Sequence, residues 1–279
     1  MIFDPFNDFE SRSYLRNNPA LHDPTAVKEY EHRAFLAKLE RAFQNLAQIG
    51  RLTYRDLLDT HKTLFEAVYP WAGQDRMQTA PDIAVSKGTV LFAHPSDAHA
   101  AVEYALRLGH DKNLMVSKAG EIMGYLAHGH PFLDDNGRTI MVVHTELTQR
   151  AGISIDWSAT DKTAYLTALT HELDSPGQGH LDAYLKSYLR PAVGHQNLAA
   201  HIAQTQGLDG NPNQPLGVNE VLGRFSEPAL QARYQHQQQR RQEQASSHQS
   251  EQDEAFNRAM AQQDDGLKHG QQEEKTRNG

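Results

Sequence analysis

The chain has 279 residues, 38% hydrophobic and 22% charged, which is room for one large domain or two small ones. A formal net charge of −8 and a pI of about 6.0 exclude a uniformly basic nucleic-acid binder. The absence of cysteine excludes disulfide frameworks, thiol catalysis, Fe–S clusters and cysteine-based zinc sites. The opening MIFDPFNDFESRSYLR lacks a basic stretch followed by an apolar one, and no run reaches the ~18 apolar residues of a membrane span, so a soluble protein that begins life in a reducing cytosol is expected.

In chain order, Asp23-Pro24 opens a helix whose apolar positions recur at Val27, Tyr30, Ala34, Leu36, Leu39, Phe43 and Leu46, and Gly50 closes it. Thr53 reads as the cap of a second helix carrying Leu57, Leu58, Leu64, Phe65 and Val68. From Tyr69 to Phe92 the pattern changes to Pro, Gly and short β-branched stretches, which predicts a hairpin around Lys87-Gly88. Ser96 caps a third helix through Leu108, Ser117 starts a fourth to His128, and Ile140 to Leu147 resumes a helical face. Two further helices fit Lys162 to Leu173 and Leu181 to Leu189. The fold class expected is all-α with one β-hairpin.

The mean hydropathy of −0.68 is set by the C-terminal end. Residues 1–194 have a normal globular composition. Residues 195–233 hold the Gly-, Pro- and Asn-dense GLDGNPNQP and read as a linker with a short helical extension. Residues 234–279 are rich in glutamine and charge and bury too little surface to offset their ordering entropy, so a disordered tail or at best a solvated helix is expected.

The densest chemistry lies in HGHPFLDDNGR, His128 to Arg138. Between two helical patterns, Asp134, Asp135, Asn136 and Gly137 form a tight turn that opens a helix, and the N–H groups of such a turn favour an anion. Arg138 in the first helical turn suits bidentate phosphate contact. A carboxylate such as Asp134 beside that anion is explained by a cation between them, and Mg²⁺ commonly takes one or two carboxylates plus phosphate oxygens. His130 is a base candidate near neutral pH, and Phe132 turns inward as an anchor. A zinc or iron site using His128, His130, Asp134 and His144 leaves Asn136-Gly137-Arg138 without a purpose. The composite describes phosphoryl or nucleotidyl transfer.

This segment resembles the Fic (Fic/Doc) signature H-x-F-x-[DE]-G-N-G-R-x-x-R, with which His130 to Met141 aligns without a gap. Upstream, Tyr69-Pro70-Trp71-Ala72-Gly73 with Arg76, then Ser86-Lys87-Gly88 and Phe92-Ala93-His94-Pro95, look like the family's approach to its β-hairpin flap. The resemblance implies a Fic-type helical bundle over 1–194 and Mg²⁺-dependent transfer of AMP from ATP to a Ser, Thr or Tyr hydroxyl of a target protein. It implies His130 as general base, Asp134 as Mg²⁺ ligand, Asn136, Gly137 and Arg138 as the phosphate cradle, and Asp135 beside the nucleotide. The flap, Ser86, Lys87, Gly88 and Thr89, would pair with an extended target segment through main-chain bonds, leaving target identity unreadable from flap side chains. The implied setting is a toxin, with a small antitoxin protein as partner, or an effector delivered into another cell; no nucleic-acid or membrane partner is expected.

Two positions depart from the signature. Asp135 replaces glycine, placing charge beside polyphosphate unless it binds metal, and Met141 replaces the second arginine that contacts the terminal phosphate in the family. Relatives lacking that arginine include proteins that transfer phosphate or phosphocholine, so the same fold transferring phosphate, another nucleotide or phosphocholine is the alternative, and a catalytically weak nucleotide-binding or interaction module is the second. The family's inhibitory Ser/Thr-x-x-x-Glu-Gly/Asn motif has no convincing match: Thr25 to Glu29 is followed by Tyr30, and Ser247 to Glu251 by Gln252. No built-in glutamate clamp is expected.

Overall fold

Caps and apolar spacing place the helices, described for residues 3–87, 90–205 and 220–243 of a computed structural model. After α1 (Phe9–Arg12) and a 3-10 turn over Tyr14–Arg16, Asp23 accepts from the Thr25 N–H at 3.0 Å and Pro24 takes the first position of α2 (Pro24–Ala47). The buried stripe of α2 is Val27, Glu31, Phe35, Leu39, Phe43 and Leu46, whereas Leu36 faces solvent. A carboxylate thus occupies the centre of an apolar stripe. In α3 (Tyr54–Phe65) the expected cap holds: the Thr53 N–H donates to Asp56 Oδ2 at 2.8 Å.

α4 (Arg76–Thr79) leads into the expected hairpin of β1 (Ile83–Lys87) and β2 (Val90–Leu91), with Ser86 opposite Leu91 and Lys87 opposite Val90. Gly88 and Thr89 lie outside the described residues. α5 (Pro95–Gly109) starts slightly before the expected Ser96, because His94 Nδ1 accepts the Ser96 N–H at 3.2 Å. A short helix outside the expectation, α6 (Lys112–Ser117), precedes α7 (Ala119–Gly129), which is the helix expected from Ser117 to His128. Asp111 caps the first. The start of the second is held from a distance, with Asp182 Oδ1 accepting the Gly120 N–H at 2.6 Å.

α8 (Asn136–Arg150) follows the motif loop, then β3 (Ile153–Ile155), α9 (Lys162–Asp174), α10 (His180–Leu185), β4 (Leu189–Pro191) and α11 (Leu198–Ala203). β3 and β4 pair antiparallel, a sheet that no alternation in the sequence announced. α7 forms the centre of the core, packed by α5, α8, α9 and α10. Ile122, Met123 and Leu126 are fully enclosed there. Its Gly120 lets the α10 backbone come within reach: a Cβ at that position would meet Asp182 N at 2.3 Å.

The stretch 195–233 contributes more than a connection. Leu198 and Ile202 of α11 are fully buried, and β5 (Glu220–Arg224) pairs antiparallel with β1, giving a sheet ordered β2-β1-β5. Contacts define one compact unit over Met1–Tyr234 and a second over Gln235–Gly279. Within the second, residues 235–243 are helical; the rest, and with it the expected disorder, lies outside the described residues. The protein is mostly helical with small antiparallel strands. Among the described residues no helix is long and apolar enough to cross a membrane.

Candidate active site

The loop from His130 to Asp135 is fixed from both ends by left-handed residues. α7 stops because His130 takes φ 41°, and α8 starts from Asp135 at φ 61°. Aspartate is among the non-glycine residues that tolerate this region, which is how it stands in a glycine position. Asn136, the first residue of α8, closes the loop on itself. Its Oδ1 accepts the Phe132 N–H at 2.9 Å and its Nδ2 donates to the Phe132 carbonyl at 2.8 Å. Phe132 is fully buried against the ring of His61, centroids 3.8 Å apart, so the inward anchor read from the sequence is in place. His61 Nδ1 accepts the Gly73 N–H, and burial pushes its pKa down to about 3.

His130 is not on an exposed loop. It is 5% accessible, and its ring lies flat on Phe92 at 3.7 Å, just past β2. Its carbonyl is held by the buried guanidinium of Arg76, whose Nε donates at 2.8 Å. Nη2 of the same group reaches the Ala93 carbonyl at 2.7 Å and Nη1 the Ile83 carbonyl at 3.3 Å. One cation therefore ties the entrance of β1, the exit of β2 and the candidate base together, and burial lowers its pKa to about 10.

The charged groups of the loop meet α2. Lys28 Nζ lies 2.5 Å from Asp134 Oδ2 and 2.9 Å from Glu31 Oε2. Arg138 Nη2 donates to Glu31 Oε2 at 2.6 Å and also to Asp135 Oδ1. Tyr69 donates its hydroxyl to Glu31, and the Tyr14 hydroxyl stands 3.5 Å from Asp134. Burial alone would lower the Lys28 pKa; Asp134 and Glu31 outweigh it and hold the ammonium above its ordinary value. Burial and then the Glu31 carboxylate raise the Tyr69 phenol well above its own. The result is an alternating network, Asp134–Lys28–Glu31–Arg138–Asp135.

The structure thus brings His130, Asp134, Asp135, Asn136, Gly137 and Arg138 into one loop and the first turn of α8. Position 137 opens outward: a Cβ there would meet nothing within 4 Å. The donor set suits Mg²⁺, with two adjacent carboxylates and no soft ligand. Asp135 Oδ2 is buried without a hydrogen-bond partner among the described residues. His144 stands apart, donating from Nε2 to the Ala119 carbonyl at 2.7 Å, and no group of three metal-binding side chains occurs among the described residues. Of the flap, Ser86 is fully buried rather than displayed. Sequence reasoning missed Tyr14, Lys28, Glu31 and His61. Glu31, four residues from both Val27 and Phe35 on a buried stripe, carried the one usable signal.

The sequence pattern of the Fic/DOC family matches residues 51–148, from the start of α3 through the motif loop into α8. Residues 51–148 are thus similar to a Fic/DOC domain. The protein adenylyltransferase VbhT of Bartonella schoenbuchensis is 31% identical over 173 residues, covering 54% of this chain and 35% of VbhT, so the chain spans about a third of that relative. The Sinorhizobium fredii protein y4lH, named a probable protein adenylyltransferase, is 28% identical over 164 residues, 56% of this chain and 81% of y4lH. Among solved structures, the N-terminal Fic domain of a VirB-translocated Bep effector from Bartonella quintana, with bound ADP, superposes with a TM-score of 0.54 at 22% identity over 66% of this chain and 94% of that one. BepC from Bartonella tribocorum, with bound AMPPNP, gives 0.51 at 20% over 63% and 92%. At these identities the structural likeness establishes the Fic fold.

Proposed function

We propose that this chain transfers AMP from Mg·ATP to a hydroxyl side chain of a target protein. The observation that carries the reading is the juxtaposition, in one loop, of His130, the Asp134 carboxylate and Arg138 over the outward-facing first turn of α8. The names of VbhT and y4lH support it. His130 takes the proton of the acceptor hydroxyl; the acceptor oxygen bonds to the α-phosphorus as the bond to the β-phosphate oxygen breaks, and pyrophosphate leaves. The N–H groups of Asn136 and Gly137 and the guanidinium of Arg138 orient the phosphates. Asp134, with Asp135 beside it, would hold Mg²⁺, which supplies charge neutralisation to the polyphosphate. For Arg138 and Asp134 to serve these roles, Glu31 and Lys28 must yield them to nucleotide and metal.

A second reading keeps the site and changes the donor to a phosphate, another nucleotide or phosphocholine. Met141, buried at the signature's second arginine position, favours it. Purified protein with Mg²⁺ and each of ATP, the other nucleoside triphosphates and CDP-choline, with and without cell lysate, read by peptide mass spectrometry beside His130→Asn, decides between them. An AMP-sized increment restricted to the unaltered protein supports the first reading. A different increment supports the second, and none from any donor removes both.

A further inference from the structure

A two-stranded flap offers its outer edges to an incoming strand. Here one edge of β1 is already taken by the chain itself, since β5 lies along it with Ile83 opposite Arg224, Ala84 opposite Gly223, Val85 opposite Val221 and Ser86 opposite Glu220. The attachment is made of main-chain bonds, a small satellite apolar cluster and the side chain of Asp82, rather than burial in the main core. Glu220, Val221 and Arg224 remain exposed. Phe225, just after the strand, packs with Ala84 and Leu91 in a small apolar cluster separate from the main core, flanked by Leu222, Leu230 and Tyr234, with the His94 ring 4.5 Å away. Asp82 provides the polar contact. Its carbonyl accepts the Phe225 N–H at 2.8 Å, its carboxylate accepts the Ser226 N–H at 2.9 Å and the Ser226 hydroxyl at 2.6 Å, and Arg224 lies 3.9 Å away.

We propose that β5 is an internal stand-in for the acceptor: the β1 edge binds an extended peptide of the pattern apolar–glycine–basic–aromatic–hydroxyl, as in Leu222 to Ser226 with Gly223 at φ 143°, and the acceptor docks by displacing β5. The inference rests on the reading of the flap as the acceptor-docking element. Main-chain pairing is indifferent to sequence, so the selectivity comes from the Ala84–Leu91 cluster and from the Asp82 carboxylate. Because β5 is tethered, it competes at high effective concentration, and an acceptor must either match its pattern well or arrive when β5 is released. The flap thus has a readable preference, contrary to what main-chain docking alone suggests.

The test uses the full chain, no nucleotide, and a fluorescein-labelled peptide copying residues 220–227. Phe225→Asp withdraws the anchor of β5 outside the main core, and this variant should bind the peptide about tenfold more tightly than the unaltered protein. The chain has no cysteine, so Ile83→Cys/Arg224→Cys forms a single clean disulfide that locks β5 onto β1. Its oxidised form should bind the peptide about tenfold more weakly than the same protein after reduction. A peptide with the Arg and Phe positions changed to Glu and Asp should not compete. Equal binding by oxidised and reduced protein, or equal binding of the altered peptide, overturns the proposal, even if Phe225→Asp fails to fold. Binding is read without turnover. Peptide exchange without AMP transfer removes the function proposed above and keeps this one; transfer with a β5 that never exchanges does the reverse.

Discussion

The ammonium of Lys28 sits 2.5 Å from the Asp134 carboxylate, so the first acidic residue of the motif loop already holds a cation, supplied by α2 more than a hundred positions earlier. Glu31, one turn on, holds Arg138 in the same way. The pair presents positive charge to the carboxylate proposed to take a metal and negative charge to the arginine proposed to take phosphate. Lys28→Met should therefore lower the Mg²⁺ concentration needed for half-maximal nucleotide binding, measured by calorimetric titration. It should also cost about 2 kcal/mol of stability through the lost charged hydrogen bonds. A rise in the Mg²⁺ requirement would mean that Lys28 assists binding instead.

Glu31→Gln keeps the shape of the side chain and removes its charge from Arg138, Lys28 and Tyr69. The expected outcome is tighter ATP binding, since the guanidinium then keeps Asp135 as its one remaining carboxylate partner, together with a lower thermal midpoint because Lys28 loses one of its two partners. Unchanged affinity at saturating Mg²⁺ would show that the Glu31–Arg138 pair opens without cost.

His130→Asn suits the left-handed backbone at φ 41°, which asparagine tolerates well. Transfer should fall by about two to four orders of magnitude, the usual worth of a general base, while nucleotide affinity changes little. Alanine is the poorer probe. His130 is packed flat on Phe92, so truncation removes a buried ring contact as well as a base.

Gly120→Ala tests the close approach of α7 and α10. The new methyl would fall 2.3 Å from Asp182 N and 2.4 Å from the Leu181 carbonyl carbon, both backbone atoms that cannot rotate away. Overpacking of this kind costs about 1–3 kcal/mol, readable as a lower urea midpoint, and should leave nucleotide binding by the surviving folded fraction intact.

Stability should depend on pH in two opposed ways. Burial holds the His61 and His144 pKa values at about 3 and about 4, below the ordinary 6.5. Their contribution is therefore full above pH 6.5 and lost as the pH falls toward those values. Burial pushes Asp182 up to about 6 from 3.8, so its contribution is full below 3.8 and lost as the pH rises toward 6. Between these limits His144→Gln should flatten the acid loss of urea stability and Asp182→Asn should steepen it. The unaltered protein lies between the two variants.

Local signals along the chain specify the helices with nearby caps, the hairpin, and the loop that gathers a histidine, two aspartates and an arginine. Thr53 with Asp56, Asp23 with Pro24, and the turn residues before α8 all act within a few positions, and such signals survive in one dimension. What those groups face is set by packing in three dimensions. The break between α6 and α7 is fixed in part by Asp182, the candidate base is positioned by Arg76, and Asp134 and Arg138 are held by Lys28 and Glu31. β5 reaches β1 from beyond α11. Each of these is a contact between chain segments far apart in sequence, satisfied by whichever polar group the packing brings near, and no local periodicity records it.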